Sequence, residues 1–177
     1  GDMIAPHDFE RLHYDLSGHT VRYVVIDMKV GGHGHNVTLP RVLTSVCAWA
    51  RSARCMGAAL SPECKGFTSL LLHRPGPCML FDADEPDGIT SLSLSDCKRR
   101  DEAKGLYASC ALIARATMDG EDLRATRKWV WWEAPVGRGK GSPWAVVGQE
   151  RHSPAFALSL MVELVTDLQL EPVVLDQ

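Results

Sequence analysis

Apolar positions change period several times along the chain, and those changes divide it into three hairpin-then-helix units. The first covers about Phe9 to Met56. His13-Tyr14-Asp15-Leu16 and the run from Thr20 through Val30 flank Ser17-Gly18, a hairpin turn signal. Within that run, Val21 to Ile26 is β-branched and aromatic, as a pleated surface favours. The glycine- and histidine-rich stretch 31–36 ends it. Thr38 and Pro40 then read as the start of a helix, with Leu39, Val42, Leu43, Val46, Cys47 and Trp49/Ala50 at helical spacing.

The second unit offers three strands: Phe67–His73, Cys78–Asp82 and Ile89–Leu94. Arg74-Pro75-Gly76-Pro77 and Asp84-Glu85-Pro86-Asp87-Gly88 separate them. Ser95 or Asp96 is expected to cap a helix running to about Ala116. In the third unit, Lys128–Glu133 and Trp144–Val147 read as strands on either side of a loop from Pro135 to Ser142. Ser153 and Pro154 open a last helix, whose stripe is Ala155, Leu158, Met161, Val162 and Val165. Pro172-Val173-Val174-Leu175 is a weak final strand.

Bulk properties narrow the function. The chain has 177 residues, 45% hydrophobic and 23% charged, as expected of a folded domain. No run approaches the roughly 18 apolar residues that a membrane helix needs, and no basic-then-apolar leader opens the chain. Neither end reads as a natural terminus, so a piece of a larger protein is expected. A net charge of −3 means that any nucleic-acid contact must come from a local basic patch. The six cysteines (47, 55, 64, 78, 97, 110) form no C-x-x-C pair, which favours free thiols in a reducing intracellular compartment over a zinc site. No cofactor or metal is expected.

One segment carries a resemblance. Ser95 through Leu112 resembles the final helix of double-stranded RNA-binding domains, a pattern of roughly Lys-Lys-x-Ala-Lys-x-x-Ala-Ala-x-x-Ala-Leu. Arg100, Ala103, Lys104, Ala108, Ala111 and Leu112 fall on it. Gly76-Pro77 and Leu39-Pro40-Arg41-Val42-Leu43 stand where that family often has Gly-Pro and the start of its first helix. The resemblance covers about 80 residues. It implies an α+β fold with an α-β-β-β-α core and an antiparallel sheet over 38–118. A strand or hairpin extension (1–37) would precede the core, and a β-β-α unit (119–177) would follow it.

Functionally, the resemblance implies non-catalytic binding of double-stranded or structured RNA, as a module of an RNA-processing assembly. Such domains commonly accompany DExH-type RNA helicases. Lys98, Arg99, Arg100, Lys104, Arg41 and Arg74 would meet phosphates, and Arg138 and Lys140 would extend that surface. Physics points the same way, because basic side chains at a helix N-terminus oppose its dipole and invite an anion.

Two alternatives remain open. Asp101 stands at a position where the family has lysine, Cys78 near a usual histidine, and residues 82–87 form an acidic loop; all three suit a protein-interaction module of the same fold. Asp15, Asp27 and Lys29 fit the sparse pattern of a metal-dependent nuclease. His33 and His35, with His19, could suggest a metal site, although glycine-rich loops often carry such residues with no ligand role. Trp129, Trp131, Trp132 and Trp144 read as core packing more than as base-stacking platforms.

Overall fold

The computed structural model describes residues 24–67, 77–120, 128–134, 139, 145–147 and 149–171. The chain divides into two compact units, 1–36 and 37–177. In the first, α1 (Met28–Gly31) is one helical turn capped by Asp27, whose carboxylate accepts the Lys29 N–H at 2.7 Å. A 3₁₀ turn, Gly32–His35, follows directly. The expected strand up to Val30 is therefore replaced at its end, because an aspartate side chain that satisfies a free N–H favours a helix start over extended pairing. Residues 24–27 carry no strand pairing, and the proposed hairpin around Ser17-Gly18 lies outside the described residues.

The second unit is built from α2 (Pro40–Arg51), β1 (Gly57–Leu60), α3 (Leu94–Met118), β2 (Trp129–Trp132) and α4 (Ser159–Asp167). Pro40 sits in the first turn of α2, where its missing N–H costs nothing, and Leu39 rather than Thr38 is the N-cap. At its other end the Lys128 ammonium donates to the carbonyls of Ala50 (3.1 Å) and Ser52 (3.0 Å). A cation there meets both the orphan carbonyls and the negative end of the helix dipole. Gly120 admits this arrangement, since a Cβ on it would lie 2.5 Å from the Arg51 carbonyl oxygen.

The sheet overturns the expected fold. Among the described residues it has two strands, β1 and β2, and they run parallel, Gly57 opposite Trp129 and Leu60 opposite Trp132. Among the described residues there is no antiparallel three-stranded α-β-β-β-α core and no C-terminal β-β-α unit. Cys78–Asp82 makes only a single antiparallel bridge, Asp82 with His152, and Ile89–Leu94 is not a strand. Turn chemistry explains both failures. The Asp82 carboxylate accepts the N–H groups of Asp84 and Glu85 at 2.9 Å, and the Glu85 carboxylate accepts both the N–H and the hydroxyl of Thr90. Side chains that bond the nearby backbone compete with a ladder, and here they win. Phe67 lies in a turn, and the remainder of the expected first strand, 68–73, is outside the described residues, as is the weak strand 172–175. Residues 145–147 carry no strand pairing either.

Parallel strands need a crossover, and here it contains α3, a 25-residue helix packed on both strands. Ser93 is its N-cap, accepting the Asp96 N–H, two or three residues before the expected start. Its small residues let it pack closely. Ala111, Ala114 and Ala116 are buried, and Ala103 lies so near Gly66 that a Cβ there would stand 3.1 Å from its own. On the sheet, Ala58, Leu60, Val130 and Trp132 face the core, and Trp129 and Trp131 sit on the other side, about half exposed. The core joins them to Phe67, Leu80, Phe81, Tyr107, Ile113, Leu158, Met161 and Leu164. Ser153 does not cap α4; a 3₁₀ turn, Ala155–Ala157, intervenes, and Asp87 reaches the Ser159 N–H at 3.0 Å. No described helix is long and apolar enough to cross a membrane.

Candidate functional site

The basic residues of α3 are brought together, but most of their charge is used inside the molecule. Arg99 pairs with Asp96 at 2.7 Å. Arg100 is mostly buried, pairs with Asp101 and donates to the Ile89 carbonyl at 2.9 Å. Lys104 donates to the Asp87 carbonyl at 2.7 Å. Lys98 is the most open of the four, with 79% of its side chain exposed and only a distant partner, Glu102 at 3.9 Å. Arg41 is exposed in the first turn of α2. Arg74, Arg138 and Lys140 lie outside the described residues.

These contacts explain why a helix tolerates cations at its N-terminus: Asp96 and Asp101 of the helix itself supply carboxylates, and the neighbouring loop adds the Ile89 and Asp87 carbonyls. That loop is itself closely bonded. Burial pushes the Asp82 carboxyl up, but hydrogen bonds from Arg151 and from the Glu85 and Asp84 N–H groups pull it further down, below its ordinary value. Asp87 is held low by the hydroxyl and N–H of Ser159. Asp96 is held low by Ser93, then by Cys78 and Arg99. The acidic loop thus serves as a brace between α3, α4 and Arg151.

Of the nuclease and metal candidates, Asp27, Lys29, His33 and His35 are described, and His19 lies outside the described residues. Asp27 is occupied as the cap of α1, with Lys29 in the same turn, and Asp15 is outside the described residues. The Asp27 N–H points to His35 Nδ1 at 3.3 Å. Among the described residues no three His, Cys, Asp or Glu side chains gather as metal ligands.

Sequence reasoning missed a different site, at the carboxyl ends of β1 and β2. Parallel strands joined by a helical crossover send both chain exits to the same edge, where open α/β sheets bind their ligands. Here the exits are Leu60-Ser61-Pro62-Glu63-Cys64 and Trp132-Glu133-Ala134. The Ser61 hydroxyl donates to Glu133 Oε2 at 3.3 Å across 72 residues of sequence, and the Glu133 N–H donates to the Leu60 carbonyl at 2.9 Å. Both side chains are exposed. Cys64 is an exposed free thiol at the start of a turn closed by Phe67 N–H to Cys64 carbonyl, 2.8 Å. Glu63 and Lys65, on either side of it, pair with each other at 2.5 Å.

Beneath this edge lies Tyr107 of α3, fully buried, its ring 4.7 Å from Phe67 and 5.8 Å from Trp132. Among the described residues, the buried Tyr107 hydroxyl and Trp132 indole N–H have no hydrogen-bond partner. Such orphaned groups in a folded core ask for an explanation. Each strand runs into a polar residue, Ser61 after β1 and Glu133 after β2, with Pro62 and Pro135 close behind, but β1 carries no strand signal of its own in the sequence. No family model, curated protein or solved structure matches the chain.

Proposed function

We propose that this chain is an α/β catalytic unit that uses the Cys64 thiol as a nucleophile, with Glu133 as its acid–base partner, at the carboxyl edge of the β1–β2 pair. The observation that carries this reading is the Ser61–Glu133 hydrogen bond, which ties the two strand exits together three residues before Cys64 in the chain. Cysteine is the most nucleophilic side chain at neutral pH, and a positioned carboxylate can deliver or remove the proton that covalent catalysis needs. Free thiols throughout the chain support a reducing compartment as its place of work.

An activated ester such as p-nitrophenyl acetate tests this reading. The Cys64 thiolate attacks the ester carbonyl, p-nitrophenolate leaves, and water then hydrolyses the thioester. A burst of one p-nitrophenolate per chain, with an acetyl group on Cys64 by mass spectrometry, is expected. Loss of the burst in Cys64→Ser and slowed turnover in Glu133→Gln complete the pattern. A burst that survives Cys64→Ser overturns the proposal.

RNA docking is the second reading, favoured by the exposed Lys98 and Arg41. It is tested with a short RNA duplex titrated at rising salt. The double variant Lys98→Ala/Arg41→Ala is the sharp probe, because Arg100 and Lys104 also hold the loop at 87–89. Binding that weakens with salt and falls in that variant supports it. Binding that is absent, or indifferent to the variant, removes it. The protein-interaction alternative rests on the half-exposed Trp129 and Trp131, and a stable dimer or complex lost on Trp131→Ala would favour it.

A further inference from the structure

The outer face of the β1–β2 pair sets small residues against large aromatic ones. Gly57 stands opposite Trp129 and Ala59 opposite Trp131, while their neighbours in each strand turn to the core. A Cβ on Gly57 would collide at once with Cδ2, Cε2 and Nε1 of Trp129, atoms of both rings. That indole therefore lies flat on the bare glycine. With one ring face against the sheet, Trp129 still keeps 46% of its surface exposed, and Trp131 keeps 43%. Two adjacent indoles left this open form a flat apolar shelf, and exposed apolar patches mark interaction sites.

Spacing and charge narrow the ligand. Residues two apart on a strand are about 6.6 Å apart, whereas bases in a duplex stack about 3.4 Å apart. Neighbouring bases of a duplex cannot each cover one indole, but unstacked bases of a single strand can. The run that leads into β1 is tied to the start of β2 by the Trp129 N–H, which donates to the Met56 carbonyl at 3.3 Å. Arg51 and Arg54 on that run are exposed, and among the described residues neither forms an ion pair. At the opposite end the exposed Glu133 follows Trp131 on the same face, and its carboxylate repels phosphate.

We propose that this face binds single-stranded nucleic acid, one base on Trp129 and the next on Trp131, with the adjoining phosphates at Arg51 and Arg54. The shelf holds two bases and stops at Glu133. Every base has a π-face, so the site takes unpaired RNA or DNA with little regard to sequence. A neutral sugar would stack on an indole as well, but it would leave both arginines without a counter-charge. The inference does not rest on the Cys64 reading, and it differs from duplex docking at Lys98 and Arg41 in both ligand and residues.

Fluorescein-labelled oligouridine and oligothymidine, titrated with the full chain and followed by anisotropy, test it. Binding in the micromolar range at about 50 mM salt, weakening as salt rises, is expected; the two oligomers report which sugar is preferred. Trp131→Leu, apolar but not aromatic, should weaken binding about tenfold, and Trp131→Phe should recover most of the loss. Arg54→Ala should lower the slope of log Kd against log salt by about 0.7. Should Trp131→Leu not fold, a 5-bromouridine oligomer irradiated on the wild type must cross-link to the peptide that carries Trp129 and Trp131. Cross-links found only elsewhere, unchanged binding in Trp131→Leu, or equal affinity for a blunt duplex overturns the proposal. So does displacement of the oligomer by cellohexaose, or a Trp131-dependent dimer that binds no oligomer.

Discussion

The loop from Asp82 to Asp87 and the edge from Ser61 to Cys64 with Glu133 are both polar, and they spend their polar groups in opposite ways. In the loop, three of the four carboxylates are engaged: Asp82 by two backbone N–H groups and Arg151, Glu85 by Thr90, and Asp87 by Ser159. At the edge, Glu133 has among the described residues one side-chain bond, from Ser61, and the Cys64 thiol is exposed. The first pattern is how a chain without a large sheet fixes its turns and helix ends. The second leaves reactive groups available to a ligand. A charge cluster that looks functional in sequence can thus be scaffolding, and a few residues without local pattern can form the better site.

The sharpest way to break this contrast is to remove Asp82. Its side chain is nearly buried, so Asp82→Ala strands two backbone N–H groups and the partner of Arg151. We expect a loss of about 2–3 kcal/mol in denaturant unfolding, with Cys64 alkylation in the folded fraction unchanged. A loss below about 0.5 kcal/mol would show that the loop does not brace the fold.

Removing the Asp87 carboxylate should cost less, about 1 kcal/mol, because it caps α4 from outside at an exposed position. It also predicts a pH dependence. Asp82 and Asp87 both have folded-state pKa values below the unfolded value of about 3.9. The unfolded chain therefore binds protons first as pH falls, so their contribution is complete above about pH 5 and is lost on descending through the depressed folded values. Urea midpoints measured from pH 6 to pH 2 should fall less steeply for Asp87→Asn than for the wild type. Parallel curves would reject the linkage.

How much of this was legible in sequence follows from the range of the interactions. The helices α2 and α3 declare themselves through apolar spacing within a dozen or so residues, and β2 through its run of tryptophans and valine. The strand Gly57-Ala58-Ala59-Leu60 does not, because glycine and alanine have little intrinsic strand preference. It becomes a strand by pairing with β2, where Gly57 leaves room for the Trp129 ring: a Cβ on Gly57 would lie 2.3 Å from it. The runs at 78–82 and 89–94 had better local patterns and failed, since neighbouring acids bonded the backbone first. For the same reason the Lys98–Lys104 cluster was visible, being local, whereas Ser61 and Glu133 meet only once two distant strands are paired.

The mildest substitution tests the comparison most closely. Glu133→Gln keeps the size of the side chain and an acceptor oxygen for the Ser61 hydroxyl, at an exposed position. Nothing buried is stranded, and the backbone bond from Glu133 to Leu60 is untouched. Stability should therefore change by less than about 0.5 kcal/mol, as is usual for surface positions. What disappears is the negative charge and the ability to exchange a proton. If Glu133 is chemistry rather than scaffolding, ester turnover should fall by 10²-fold or more in a protein whose melting curve matches the wild type. A variant that loses stability and turnover together would place Glu133 with the loop carboxylates, and the contrast between the two regions would collapse.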